Sequence, residues 1–251
     1  MQFFSDLDGT LIYSRRRRME SPSVAVELLD GRQQGFMTRS TYEWLKRRGG
    51  EGVIPVSTRT PGQYRRLTCF GKEFRCRHAL LCNGGLLLTE AGEDGRWLSE
   101  TREMTASSVR ELEECKRYLE AVFPSNRIHF PEELMIYIKV EKPETCAEQM
   151  REKLRPVAVQ IMNDRRKVYV IPRNMDKGRA VKRYLDRFGT DLTVSAGDSL
   201  FDVPMLEITD YAIAHISLKE SMERRKRAFW CSAPVFSDEI CRIIDEIGGK
   251  R

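Results

Sequence analysis

The chain has 251 residues, 41% of them hydrophobic and 32% charged, with 43 Lys and Arg against 37 Asp and Glu for a formal net charge of +6. That apolar content excludes a disordered chain, and no apolar run approaches the ~18 residues that span a bilayer, so no membrane partner is expected. The positive excess lies outside residues 86–170, which hold 14 basic and 16 acidic residues; its one dense run is Arg15, Arg16, Arg17 and Arg18, and with no aromatic-interleaved basic stripe beside it no nucleic-acid partner is expected.

In chain order, Gln2 to Leu7 reads as a short buried strand that runs into the Gly-containing turn Asp6-Leu7-Asp8-Gly9-Thr10. No basic stretch followed by an apolar one precedes it, which makes a cytoplasmic protein the expectation. Thr38 to Arg48 has a helical setting and stops at Gly49-Gly50. Val53 to Val56 is a second strand, although Pro55 cannot donate to a ladder. Pro61 opens a helix, and Ala79 to Cys82 is a third strand closing at Asn83-Gly84-Gly85.

The texture then changes. Thr105 to Val122 is amphipathic, with Val109, Leu112, Cys115, Leu119 and Val122 three or four apart. Leu134, Ile136, Ile138 and Val140 alternate at period two. A helix over Pro143–Leu154 and strands over Val157–Met162 and Lys167–Ile171 complete an α+β segment. Afterwards helix and strand alternate again: Asp176–Phe188, Leu192–Ala196, Tyr211–Ala214 and Ser237–Ile247. The expected architecture is an α/β doubly wound parallel sheet formed by residues 1–85 and 171–251, with an α+β domain inserted at 86–170. Seven cysteines without a C-x-x-C pair and three scattered histidines exclude a disulfide framework and a zinc site.

Ligands of open α/β sheets bind at the carboxyl ends of the strands. Three such ends carry reactive groups: Asp6 and Asp8, then Ser57 and Arg59, then Asp198 and Asp202, with Lys177 at the start of a helix. Convergence of those ends would line one crevice with four carboxylates, a hydroxyl and two cations. Acidic oxygens on rigid turns suit Mg2+, and like charges so close repel unless a cation neutralises them. An EF-hand fails on spacing, because the sixth position from Asp6 is Leu11 and the twelfth is Arg17.

Asp6-Leu7-Asp8-Gly9-Thr10-Leu11 resembles the first motif of haloacid dehalogenase-like hydrolases. Ser57-Thr58-Arg59 is similar to the second motif, Lys177 to the third, and Gly197-Asp198-Ser199-Leu200-Phe201-Asp202 to the fourth. The insert resembles a type C2 cap, and the layout is most similar to the sucrose-phosphatase and mannosyl-3-phosphoglycerate-phosphatase branch. The resemblance implies a Mg2+-dependent phosphomonoesterase for a small phosphorylated metabolite, a sugar phosphate in first place. Asp6 would be the nucleophile that becomes an aspartyl-phosphate, Asp8 the general acid and base, Ser57 a hydrogen-bond donor to the phosphoryl group, and Lys177 its charge neutraliser. Asp6, the Asp8 carbonyl and Asp198 would hold Mg2+ with Asp202 in support, and Gly9, Thr10 and Arg59 would touch substrate. A phosphomutase on the same fold and a non-catalytic phospho-ligand-binding protein are the alternatives. Thr58 and Phe201 depart from the family pattern, and the stretch from Ser14 to Phe36 is longer than its usual connection. The arginine run in that stretch is either a solvated loop or an attractor for substrate charge. Oligomeric state is not legible.

Overall fold

The computed structural model describes residues 1–15, 21–50, 52–222 and 227–249. The chain divides into two compact units, one formed by residues 1–94 and 177–251 and the other by residues 95–176.

The first unit begins with β1 (Gln2–Ser5), β2 (Tyr13–Ser14), β3 (Ser23–Leu29), β4 (Arg32–Thr38) and α1 (Arg39–Arg48). It continues through β5 (Val53–Pro55), α2 (Pro61–Arg65), α3 (Thr68–Lys72), β6 (Ala79–Leu81), β7 (Leu86–Thr89) and β8 (Gly92–Glu93). The second unit contains α4 (Gly95–Thr105), α5 (Val109–Val122), β9 (Ile136–Lys139), α6 (Pro143–Leu154), β10 (Val159–Asp164) and β11 (Lys167–Pro172). The chain then returns to the first unit with α7 (Lys177–Phe188), β12 (Thr193–Gly197), α8 (Val203–Ile208), β13 (Tyr211–His215), β14 (Ala228–Cys231) and α9 (Phe236–Gly249).

The core of the first unit is a five-stranded parallel sheet in the order β14-β13-β12-β1-β5. Strand β1, between β12 and the edge strand β5, is buried from Phe3 to Ser5 without alternation because helices cover both faces. Phe3 and Phe4 are both fully buried and point to opposite sides. Phe3 meets Trp44 of α1 edge-on at 6.4 Å, and Phe4 meets Tyr184 of α7 at 5.6 Å. On the first face α1 is tied to α9, since Thr41 donates to Asp238 at 3.0 Å and the Trp44 indole to Asp245 at 2.9 Å. Pro55 is tolerated because β5 is the edge strand of this sheet, where its missing N–H breaks no ladder.

Local signals set the element ends. The Thr38 side chain accepts from the Thr41 N–H to start α1, and Gly49 ends it in the left-handed conformation. Thr60 and Gln63 form a reciprocal capping box at α2, with Pro61 in its first turn. Residues 86–94, which the sequence pattern assigns to the insert, lie in the first unit. The reason is a hairpin: Leu86, Leu87 and Leu88 of β7 pair antiparallel with β6, and β8 pairs with β7 in turn.

In the second unit α5 and α6 cover one face of the antiparallel sheet β10-β11-β9, where Ile136, Ile138, Val159, Ile161, Val168 and Val170 alternate into a common core with Leu112, Leu119 and Met150. Glu111 on α5 accepts the N–H groups of Val157, Ala158 and Val159 and so fixes where β10 begins. Helix α4 escapes a periodicity reading because its buried stripe is Trp97, Thr101 and Thr105, whose threonine hydroxyls bond back to the carbonyls four residues earlier. No helix among the described residues is long and apolar enough to cross a membrane. All seven cysteines are free, and burial pushes the Cys69, Cys76 and Cys241 thiols up to about 12, which leaves them inert.

The paired glycines after α1 separate conformational from steric demand. Both have positive φ, but a Cβ on Gly49 would meet nothing, whereas one on Gly50 would stand 1.8 Å from the Phe74 carbonyl oxygen. Gly49→Ala should therefore cost about 1 kcal/mol and Gly50→Ala about 3 kcal/mol or more. Urea denaturation midpoints of the two variants check this, and equal losses would contradict it.

Candidate active site

The parallel register brings the ends of β1, β12 and β5 to one edge of the sheet. Ser5 stands level with Ala196 and with Pro55, so Asp6 follows at the height of Gly197 and Val56. The Asp6 N–H donates to the Ala196 carbonyl and the Val56 N–H to that of Ser5, which carries the ladder up to the first reactive residue. After Asp6 the chain turns sharply. Gly9 takes φ 104, a conformation closed to side-chain-bearing residues, and Leu7 accepts the N–H groups of Leu11 and Ile12.

A buried ion cluster forms at this edge. Lys177, at the first position of α7 and 1% exposed, donates from Nζ to Asp6 Oδ1 and to Asp202 Oδ1, each at 2.6 Å. Asp202 is fully buried, and its Oδ2 accepts the N–H groups of Asp198 and Ser199 and the Ser199 hydroxyl at 2.9–3.0 Å. Asp202 is thus the clamp that shapes the turn after β12 and orients Lys177. Gly197 is needed for the same turn, because a Cβ there would lie 2.3 Å from that of Asp202. Thr10, also fully buried, donates to Asp198 Oδ1 at 3.2 Å and joins the first turn to the last.

Burial is the largest influence on Asp6. It raises the carboxyl above its usual range, Lys177 pulls it back, and Asp202 and Asp198 raise it further. Burial alone would lower the Lys177 ammonium, but Asp202 and Asp6 outweigh it and hold the group above its ordinary value.

A second charged group stands beside the first. Arg59 forks onto Asp8, Nε to Oδ2 and Nη2 to Oδ1, both at 2.7 Å. Nη1 and Nη2 also donate to Glu27 Oε1 and Oε2 at 3.0 Å, and Nη1 donates to the Gln63 carbonyl at 3.3 Å. All five N–H groups of the guanidinium are thereby engaged within the protein. Burial tends to lower this group, yet Asp8 and Glu27 keep it above its ordinary value. The hydroxyl of Ser57, 1% exposed, accepts the Arg59 N–H at 3.2 Å, so the loop after β5 is closed on itself.

The seven side chains singled out in the sequence therefore gather in two linked groups: Asp6, Lys177, Asp198 and Asp202, and Asp8, Arg59 and Ser57. Thr10 and Arg59, expected at the substrate, have their hydroxyl and guanidinium donors committed to Asp198 and to Asp8, Glu27 and Gln63. Glu27 was not anticipated. Its signal was a charged residue between Val26 and Leu28 in a stretch read as a long connection. Arg15 is exposed after β2, and Arg16, Arg17 and Arg18 lie outside the described residues.

The chain belongs to the haloacid dehalogenase-like hydrolases, whose family model matches residues 61–223. No curated protein matches it. Among solved structures it is similar to a sucrose-phosphatase from Synechocystis, in complex with sucrose and phosphate, at 16% identity and a TM-score of 0.63, covering 98% of this chain and 97% of that one. It is also similar to a HAD subclass IIB sugar phosphatase (16% identity, TM-score 0.62, 98% of each chain). A haloacid dehalogenase-like hydrolase from Bacteroides thetaiotaomicron matches at 14% identity, TM-score 0.58 and 98% of each chain. At such identities the likeness is one of fold.

The donor set fits a hard divalent cation. Asp6, Asp198 and Asp202 offer carboxylate oxygens within 4.8 Å of one another, and Lys177 alone does not offset three negative charges. A cation there favours the ionised form of Asp6 and so opposes the burial that raises it. An aspartate whose folded pKa is raised costs the metal-free protein stability as pH climbs from its unfolded value through its folded one, and bound metal relieves that cost. The rise in Tm produced by Mg2+ should therefore grow as the pH is taken from about 5 to about 8. Thermal melts with Mg2+ and with chelator check this, and a Tm unmoved by Mg2+ throughout would count against the site.

Proposed function

We propose that the chain is a Mg2+-dependent phosphomonoesterase that hydrolyses a small phosphorylated metabolite, a sugar phosphate in first place, through an aspartyl-phosphate on Asp6. The observation that carries the reading is the Asp6–Lys177–Asp202 cluster with Asp198 beside it at the carboxyl edge of a parallel sheet. The sugar-phosphatase neighbours support the substrate class by their fold.

Each residue has a task suited to its surroundings. The bond from Lys177 to Oδ1 fixes the rotation of the Asp6 carboxylate and leaves Oδ2 to attack phosphorus in line with the departing oxygen. The P–O bond to the alcohol breaks as the bond to Asp6 forms, and Asp8 gives the alcohol its proton. Asp8 then takes a proton from the water that cleaves the acyl phosphate, releasing inorganic phosphate and restoring Asp6. Its side chain is 40% exposed, so it exchanges protons with solvent, while the Arg59 fork fixes its orientation. Lys177 neutralises charge that builds on Asp6 and the phosphoryl oxygens. Asp6, the Asp8 carbonyl and Asp198 would hold Mg2+, with Asp202 supporting them through the turn it clamps. Bound there, the ion would supply Lewis-acid charge to the transferring phosphoryl group.

The test is Mg2+-supplemented phosphate release over phosphorylated sugars, glycerates and nucleotides, with excess chelator as the control. Sugar phosphates should lead, chelator should abolish release, and no isomerised product should form. Asp6→Asn should abolish turnover in a chain that still folds, and Asp8→Asn should lose ~10²-fold or more in kcat. Steady-state turnover by Asp6→Asn, or full activity in chelator after metal removal, would overturn the mechanism.

A further inference from the structure

Glu27 lies in β3, on the hairpin between β2 and α1, far in sequence from every residue of the two charged groups. The hairpin is built to aim it inward. Ala25 pairs with Phe36 and Glu27 with Gly35, so Val26 is an extra residue, and the register shifts again before Leu28 pairs with Gln33. This bulge breaks the alternation, and Val26 and Glu27 are consecutively buried. Opposite Glu27 stands Gly35, where a Cβ would come within 3.1 Å of both the Cβ and Oε2 of Glu27. The cross-strand position is thus empty of a side chain where the carboxylate needs room.

The carboxylate, 6% exposed, meets two arginines. Oε1 and Oε2 accept from Nη1 and Nη2 of Arg59, and Oε1 also stands 3.0 Å from Nη2 of Arg66 as an ion pair. The result is the alternating chain Asp8–Arg59–Glu27–Arg66. A guanidinium is planar, so fixing two of its edges fixes the third. Glu27 grips the Nη1–Nη2 edge, and Asp8 sits on the Nε–Nη2 edge.

We propose that Glu27 is a positioning residue for phosphoryl transfer, holding the plane of Arg59 so that the Asp8 carboxylate is aimed at the departing oxygen. This rests on the phosphatase reading above. Glu27→Gln keeps the size of the side chain but turns one acceptor into a donor facing an arginine N–H, which releases one corner of the guanidinium.

The consequence is specific to the leaving group. Phenyl phosphate and p-nitrophenyl phosphate are nearly the same size, but phenolate departs far less readily than nitrophenolate and depends more on a proton from Asp8. Glu27→Gln should lower kcat for phenyl phosphate about 10-fold more than for p-nitrophenyl phosphate, with KM for both little changed. Glu27→Asp, which keeps the charge one methylene further away, should fall between. Each ratio is taken within one preparation, so any unfolded fraction cancels. Asp8→Asn run alongside separates the outcomes. Equal losses on both substrates in Glu27→Gln beside a selective loss in Asp8→Asn overturn the assignment of Glu27. Equal losses in both variants overturn the leaving-group role of Asp8 and the assignment with it. No phosphate release from either ester by the unaltered protein overturns the phosphatase reading itself.

Discussion

The placement of Lys177 between Asp6 and Asp202, with hardly any solvent contact, is the constraint on which the rest of this site depends. Two carboxylates taken out of water repel each other and lose hydration. The ammonium between them, 2.6 Å from each, offsets part of that repulsion. That geometry demands that β1, the start of α7 and the turn after β12 meet within one salt-bridge length. Gly197 without a side chain, the Asp202 clamp on two backbone N–H groups and the parallel register of β1 on β12 all serve this meeting. Breaking such a pair from one side leaves an uncompensated buried charge, at a cost of about 3–5 kcal/mol. The cluster is therefore a structural commitment as well as a chemical one.

The two charged groups divide the work by exposure. Asp202 is sealed and Asp6 is buried to 7% exposure, whereas Asp8 keeps 40% of its side chain in reach of solvent while Arg59 holds it from behind. A residue that must trade protons needs contact with water, and a residue that attacks phosphorus is better kept dry. The neighbouring positions of Asp6 and Asp8 in sequence conceal this difference, which comes from the sharp turn at Gly9 and from the partners waiting on either side.

Much of this was legible in the residues. The parallel sheet and its helices were readable because Gly, Pro and cap residues punctuate them: Thr38 and Gly49 bound α1, Pro61 opens α2, Pro143 opens α6. The strand-end rule gathered Asp6, Asp8, Ser57, Arg59, Asp198 and Asp202, since it needs only where strands stop, and Lys177 joined them from the start of a helix. What escaped follows from pairing at a distance. The sheet of β2, β3 and β4 lacks clean alternation because its bulge leaves Val26 and Glu27 consecutively buried, and α4 hides its buried stripe in threonines. That Arg59 faces Asp8 and Glu27 rather than solvent is a tertiary fact with no local pattern. Residues 86–94 read as part of the insert because their apolar run begins where the preceding turn ends, yet the same turn folds them back on β6.

The order of strands across the main sheet has a consequence for synthesis. β1 is made well before one of its two neighbours, β12, and the whole α+β unit is translated between them. Contacts within residues 95–176 are comparatively local, so that unit is able to close while β1 and β5 still lack the strand that completes their layer. Until residues 193–197 emerge, Phe3 and Phe4 stand on an open sheet edge of a nascent chain. Such an unpaired strand edge is open to pairing errors until β12 closes it.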